Sequence, residues 1–473
     1  MVRTLKSGNQ VPGVAYQVSY IKYEQIKALL LLMLMFFLLF HANGQGVLEK
    51  YIKTGLDSNL ALKQKTFDLK KAQLDLERAK TLFYPQANFN AQYTLATGGR
   101  TQDIPVGDLL NNVYTTLNSL TASNKFPQVQ NQTINFLPNN FQDTKVEVTM
   151  PLYNPEIKYN REIKAELVNG SIAELNLYKR ELVKNIKQAY YDYLQATRSV
   201  EIYTNALTVV NENLRVNEKL VKNTMATREV VLKAKAQVSQ VQTSLTGVQQ
   251  NQKNAAAYFN FLLNRDLETG IENDSTILQL ADKRIIISPD VPVNREELLK
   301  IKSGQTTLSK NLKLNESFRL PRLNAFYNVG FQGFGYKFFD KQFYQIGGLQ
   351  LTWNIFKAND NKLRIKQTQL DIDALQNQYT NTEKQLQLQV ATAYNTYIGA
   401  LQVLQSSNDE VVNTREAYRL TDRKYREGQA LQIELTQARI DMTTAEIKYS
   451  LAQLAVLNKT AELERVMATY PIQ

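Results

Sequence analysis

The chain has 473 residues, 43% hydrophobic and 21% charged, with a formal net charge of +12, no cysteine and a single histidine, His41. Disulfides, thiolate metal sites and cysteine nucleophiles are excluded, and one imidazole in a segment expected to be removed gives no basis for histidine metal or triad chemistry. Lys and Arg are spread over mixed Lys/Glu/Gln faces with no dense basic block, so the charge points to solvated helices and to no nucleic-acid partner.

Arg3, Lys6, Lys22 and Lys27 precede an apolar run over residues 28–40, which ends in Ala42-Asn43-Gly44. The run is short for a bilayer span and closes on small residues, so residues 1–44 read as a secretory signal cleaved near Gly44, with a retained N-terminal anchor as the alternative. No later run reaches the roughly 18 apolar residues of a membrane helix, so any passage through a membrane would use strands.

Four segments alternate with period two. Ala87, Phe89, Ala91 and Tyr93 are separated by Asn88, Asn90 and Gln92, and Val146, Val148 and Met150 by Glu147 and Thr149. The third sets Leu323, Ala325, Tyr327, Val329 and Phe331 against Asn324, Phe326, Asn328 and Gly330; the fourth sets Leu349, Leu351, Trp353 and Ile355 against Gln350, Thr352 and Asn354. Such alternation gives a strand one apolar and one polar face. The runs have about the length of a tilted transmembrane strand, and an Asn/Gln/Thr face suits a wet lumen. Four strands cannot close a barrel, because the smallest need about eight, so several chains would have to share one. The two hairpins are expected over residues 86–152 and 322–356, with an Asn/Thr/Gln/Ser-rich loop over 96–144 and a shorter Gly/Phe/Tyr-rich loop over 332–345.

Asn154-Pro155-Glu156 after the second strand supplies an N-cap, a first-turn proline and a first-turn acid. No proline follows before Lys222, and a second rod starts near Asn359-Asp360 and runs to about Glu427. The returning helices carry a 3-4 pattern: Val231, Ala234, Val238, Val241, Leu245 and Val248 match Leu435, Ala438, Met442, Ala445, Tyr449 and Ala452. A second stripe, Ile440, Ile447, Leu451 and Leu454, predicts contacts on another flank. Short turns over residues 222–227 and 426–431 join the rods; Gly428 suits a left-handed helix stop and its counterpart Thr224 suits it less. The helix before Pro321 reads as several residues shorter than the one before Pro85.

From Ala189 onward the halves register at a constant shift of 204, so the chain divides into a first repeat (45–265), a connector (266–293) and a second repeat (294–473). The duplication, the Leu-Phe-Tyr-Pro85-Gln and Leu320-Pro321-Arg strand openings, Leu351-Thr-Trp-Asn-Ile-Phe356, Ala393-Tyr394 and Tyr425-Arg-Glu-Gly428 followed by Glu434-Leu-Thr-Gln-Ala438 resemble the TolC family of outer-membrane efflux and secretion channels. The resemblance covers essentially the whole chain after the signal. It implies a mostly helical protein with transmembrane β-structure: a homotrimer forming a 12-stranded β-barrel that continues into a 12-helix periplasmic tunnel, with two structural repeats per chain. It further implies a cell outer membrane location, contact with outer-membrane lipid, and a periplasmic adaptor (membrane fusion) protein and inner-membrane pump as partners. No catalytic residue and no cofactor is implied.

In this frame the helix turns become the periplasmic gate and adaptor-docking tip, with Thr224, Arg228, Glu229, Tyr425, Gly428, Gln429 and Glu434 as its residues. Phe89, Tyr93, Tyr327 and Trp353 become membrane-facing strand residues. The family's gate uses a tyrosine, an arginine just after the tip glycine and acids on the neighbouring tip. Here Tyr425 holds the tyrosine position, Ala430 replaces the arginine, and Val230 beside Glu229 replaces the acid, leaving Arg228 as the substitute cation. A structural or adhesive envelope coiled coil would explain the rods but neither the paired strands nor the duplication. An Asp/Glu hydrolase would need opposed carboxylates, and no acidic cluster sits in a loop setting.

Overall fold

A computed structural model describes residues 46–282 and 295–472. The expected signal, residues 1–44, and the later part of the connector lie outside the described residues. The elements are α1 (Val47–Ser58), α2 (Leu60–Thr81), β1 (Gln86–Thr94), β2 (Thr101–Ile104), α3 (Val106–Leu120), β3 (Gln132–Asn135), β4 (Phe141–Tyr153), α4 (Pro155–Lys222) and α5 (Arg228–Leu262). After a 3-10 segment, Ser275–Asp282, come α6 (Glu296–Ser317), β5 (Arg322–Phe334), β6 (Phe343–Thr352), α7 (Asp360–Arg426) and α8 (Gln432–Met467).

Both long rods form, with 68 residues in α4 and 67 in α7. The start of α4 is held as its sequence requires: the Asn154 side-chain oxygen accepts from the Glu156 backbone N–H at 3.1 Å. The helices before the two hairpins, α2 and α6, have 22 residues each, which corrects the expected shortening. Among the described residues the chain divides into two compact units, one gathering 46–59, 182–282 and 396–462, the other 60–181, 295–395 and 463–472.

In the second unit four antiparallel strands pair in the order β1-β4-β5-β6. The strands extend beyond their sequence bounds at one end: β4 begins at Phe141 and β6 at Phe343. At the other end β6 stops at Thr352, paired with Arg322, because Pro321 has no N–H to continue the ladder. Trp353 and Ile355 therefore fall just outside the strand, against expectation. The loop over 96–144 is also more ordered than expected, holding the β2–β3 hairpin and α3. Its asparagines act as backbone surrogates: the Asn111 amide donates to Val129 O at 2.9 Å and accepts from Val129 N at 2.8 Å, and Asn118 pairs likewise with Phe126.

The helices of this unit lie side by side in the order α2, α4, α6, α7. Lys65 and Lys164 of α2 and α4 reach Glu174 and Asp75 across the first seam, Lys310 of α6 reaches Glu162 at 2.8 Å, and Asn315 of α6 donates to Thr368 of α7 at 3.0 Å. At the N-terminal end of α6 the buried Arg295 donates to the Val466 carbonyl and pairs with Glu297.

The other unit orders its helices α5, α4, α8, α7. Gln252 of α5 donates to Thr197 of α4, Lys184 and Asn458 join α4 to α8, and Arg415 and Lys448 join α7 to α8. The 3-4 seam of α5 and α8 points inward: Ala234, Leu245, Met442, Ala445 and Ala452 are buried and the remaining seam positions half-buried. Gly55 of α1 sits so close to Ile186 and Leu263 that a Cβ there would meet the Ile186 methyl at 2.3 Å. Beside it Tyr51, Tyr190 and Phe259 form an aromatic cluster with the Arg265 guanidinium 5.0 Å from the Tyr51 ring. Burial pushes the Tyr190 phenol up to about 12, so it stays protonated and bridges Glu272 O and Asp274 N.

Glu174 of α4 bridges two neighbours, with Lys65 of α2 at 2.6 Å and Lys300 of α6 at 3.0 Å. The hydrogen bonds from Lys65 and Lys300 hold its carboxyl below the usual glutamate range. A depressed acid stabilises the fold above its unfolded-state pKa, and the gain fades as pH falls through the folded value. Because all three groups are part exposed, Glu174→Gln is expected to cost less than about 1 kcal/mol at neutral pH. Thermal melts should show the two proteins converging in acid; a gap that persists there would contradict the ion-pair account.

Candidate functional site

Two places combine exposure with organised chemistry: the helix turns and the strand sheet. At the first turn the Met225 N–H reaches Leu220 O at 2.9 Å and the Thr224 N–H reaches Val221 O at 3.0 Å. At the second, Gln429 reaches Lys424 O at 2.8 Å and Gly428 reaches Tyr425 O at 3.1 Å. Both are Schellman stops at corresponding positions. Gly428 has φ +74° with open space around it, and Thr224 has φ +60°, a left-handed conformation that a β-branched residue adopts only under strain. The repeat thus imposes the same backbone on both turns although the sequence supplied glycine to only one.

Charges around the turns are matched along their own helices: Glu229 with Lys233 at 2.6 Å, Arg423 with Glu427 at 3.1 Å, and Arg426 with Asp422 at 2.9 Å. Glu434 accepts from the Leu431 N–H at 3.0 Å, so it caps α8. Arg228 is exposed, and among the described residues no hydrogen bond or ion pair joins it to Tyr425. Tyr425 is half-buried, and burial raises its phenol above the ordinary range. Gln432 at the start of α8 donates to Asn213 of α4 at 2.5 Å, tying the two hairpins together just above the turns. Around the turns Met225, Leu431 and Ile433 are all exposed.

The sheet is two-faced. Cross-strand registers such as Phe89–Val146–Val329 and Ala87–Val148–Tyr327 place the apolar sets of β1, β4 and β5 on one face, and Met150–Ala325–Leu349 adds β6. Every charged residue of the four strands, Asp143, Lys145, Glu147 and Arg322, lies on the other face with Asn88, Asn90, Gln92, Asn328 and Gln332. Phe89, Tyr93 and Tyr327 sit exposed on the uncharged face, where the Tyr327 hydroxyl meets Gln345 at 2.8 Å. Trp353, past the strand end, donates its indole N–H to Arg319 O at 2.9 Å. Asp143 and Lys145 were not legible as strand residues, because Gln142 and Thr144 interrupt the apolar alternation upstream of Val146. Tyr344 joins them, its hydroxyl donating to Asp143 at 2.9 Å.

Among the described residues no helix is long and apolar enough to cross a membrane, and no cluster of metal-ligating side chains occurs. The sequence profile of the outer membrane efflux protein family matches residues 290–469. The chain resembles outer membrane efflux proteins over that part of its length. Its fold is that of TolC-type channels. It aligns with the outer-membrane channel OprN at 16% identity over 89% of both chains, with a TM-score of 0.69. CusC aligns at 12% identity over 90% of this chain and 92% of its own, with a TM-score of 0.71. The open state of the Neisseria gonorrhoeae MtrE channel aligns at 14% identity over 89% and 88%, with a TM-score of 0.69. At such identities the likeness is one of fold. No curated protein sequence matches the chain.

The left-handed stops make a conformational prediction. Thr224→Gly should relieve about 1 kcal/mol of backbone strain, and Gly428→Val should introduce roughly 1–2 kcal/mol. Hydrogen exchange at the Met225 and Gln429 amides should slow in the first variant and quicken in the second. Unchanged protection in both would show that the turns are not held by these hydrogen bonds.

Proposed function

We propose that three copies of this chain close into one barrel in the outer membrane, continuing into a helical tunnel through which substrates delivered by an inner-membrane pump and a periplasmic adaptor leave the cell. The observation that carries this reading is the sheet: four strands, one face without charge, and two edges, β1 and β6, each paired on one side only. Hydrocarbon tolerates neither an open edge nor a charged face, so neighbouring copies must supply the missing partners.

The helices support the same closure. On α2, Leu60, Phe67 and Leu74 recur every seventh residue and are 63%, 58% and 69% exposed; Leu363 and Leu370 do the same on α7. These two helices end the row in their unit, and seven-residue apolar stripes are what a neighbouring helix packs against. Side-by-side copies would set the α7 of one against the α2 of the next. On this reading Phe89, Tyr93, Tyr327 and Trp353 meet lipid and its headgroup boundary, and the turns at Thr224 and Gly428 form the periplasmic mouth. Exposed Met225, Gln429, Leu431 and Ile433 are then the adaptor-facing surface, and Tyr425 lies at the narrowing with Arg228 and Glu229 on the neighbouring turn. The conduit is passive and needs neither cofactor nor catalytic group.

Deleting the gene should sensitise cells to toxic compounds or block export of a polypeptide, and plasmid-borne wild type should restore the phenotype. In planar bilayers the purified protein should conduct, and Tyr425→Ala should raise the conductance. No phenotype together with no conductance would overturn the conduit reading, whereas equal conductance of wild type and Tyr425→Ala would remove the tyrosine from the gate.

A further inference from the structure

The charged side chains of the sheet are not an even scatter. Arg322, at the end where the helices attach, pairs with Glu156. Lys145 pairs with Asp143 at 3.4 Å, and Asp143 also accepts from Tyr344. That leaves Glu147, whose side-chain partner among the described residues is the neutral Asn90 amide at 3.3 Å. In register it lies in the row Asn88–Glu147–Asn328–Ile346, level across all four strands and without a cation. The polar face therefore carries one uncompensated carboxylate per chain, midway along the strands.

We infer that Glu147 sets the charge preference of the barrel lumen, favouring cationic over anionic solutes. This rests on the reading that the charged face lines a bore shared by several copies. In that arrangement the Glu147 carboxylates form a ring of like charge around a narrow, low-dielectric wall. Such a ring focuses its field into the water it encloses and raises the local concentration of the opposite charge. The Lys145–Asp143 pair adds no net charge, but its position two residues along β4 makes it a counterweight: removing the lysine would expose a second carboxylate to the same water.

The absence of cysteine permits a direct test in the full-length protein in outer-membrane vesicles. Asn328→Cys, in the Glu147 row, should react with small methanethiosulfonates, the cationic reagent faster than the anionic one. Adding Glu147→Gln should lower the cation-to-anion rate ratio roughly tenfold, and adding Lys145→Gln instead should raise it. Val146→Cys, on the uncharged face, should react with neither. If Asn328→Cys reacts but its rate ratio is unmoved by Glu147→Gln, this inference falls and the bore remains. If Val146→Cys reacts and Asn328→Cys does not, the assignment of faces falls, and this inference with it. Trimer content on mild gels checks that each variant assembles, and Glu147→Asp, which keeps the charge, should keep the ratio. Loss of the ratio in Glu147→Asp would also overturn the electrostatic account.

Discussion

The backbone edges of β1 and β6 govern the rest of the molecule. A strand at the end of a sheet presents a line of N–H and C=O groups with nothing opposite, and water satisfies them where water is present. In hydrocarbon nothing does, and each unpaired group costs several kcal/mol. The sheet joins this liability to a face with no charge at all, so it suits lipid only if its edges are closed. A single chain supplies four strands, too few to curl onto themselves. Assembly is thus a condition of the strands being where their composition suits them.

The helices follow from that closure. A barrel shared among copies demands that whatever hangs from its strands also be an arc, with flanks suited to the next copy. In each unit the helices lie in a row whose inner members are stitched on both sides and whose end members keep apolar side chains exposed. Helix α8, flanked by α4 and α7, buries Met442, Ala445 and Ala452 of its seam, whereas α5, which ends its row, buries Ala234 and Leu245; of the second stripe of α8 only Leu454 is buried, and Ile440 and Leu451 stay exposed. The duplication makes the arrangement economical, since one strand-and-rod pattern is used twice. It also carries backbone geometry along with it: left-handed stops recur at Thr224 and Gly428 and again at Asn264 and Ala468, 204 residues apart in both cases.

Much of this was legible from the residues. The rods were readable because proline is absent between Pro155 and Lys222 and because Asn154 and Pro155 mark a helix start. The inward seam of α5 and α8 was readable from its period. What escaped notice has physical reasons. The start of β4 was hidden because Gln142 and Thr144 are polar on the apolar face; the Gln142 amide N–H there donates to Gln342 at 3.2 Å. The order within residues 96–144 was hidden because asparagine side chains do the work of backbone there. The strain at Thr224 follows from its place opposite Gly428, which outweighs local preference. The proposed gate was the least legible, since Tyr425 and Arg228 are not joined within one chain and the geometry between copies is set by no local pattern.

The central claim is that the sheet is completed by other copies of the same chain. Mass determination of the protein extracted from outer membranes in mild detergent, by native mass spectrometry or by light scattering corrected for bound detergent, tests it most directly. Closure by neighbouring copies predicts a single species of three chains that survives dilution. A stable one-chain species with its strands intact would contradict it.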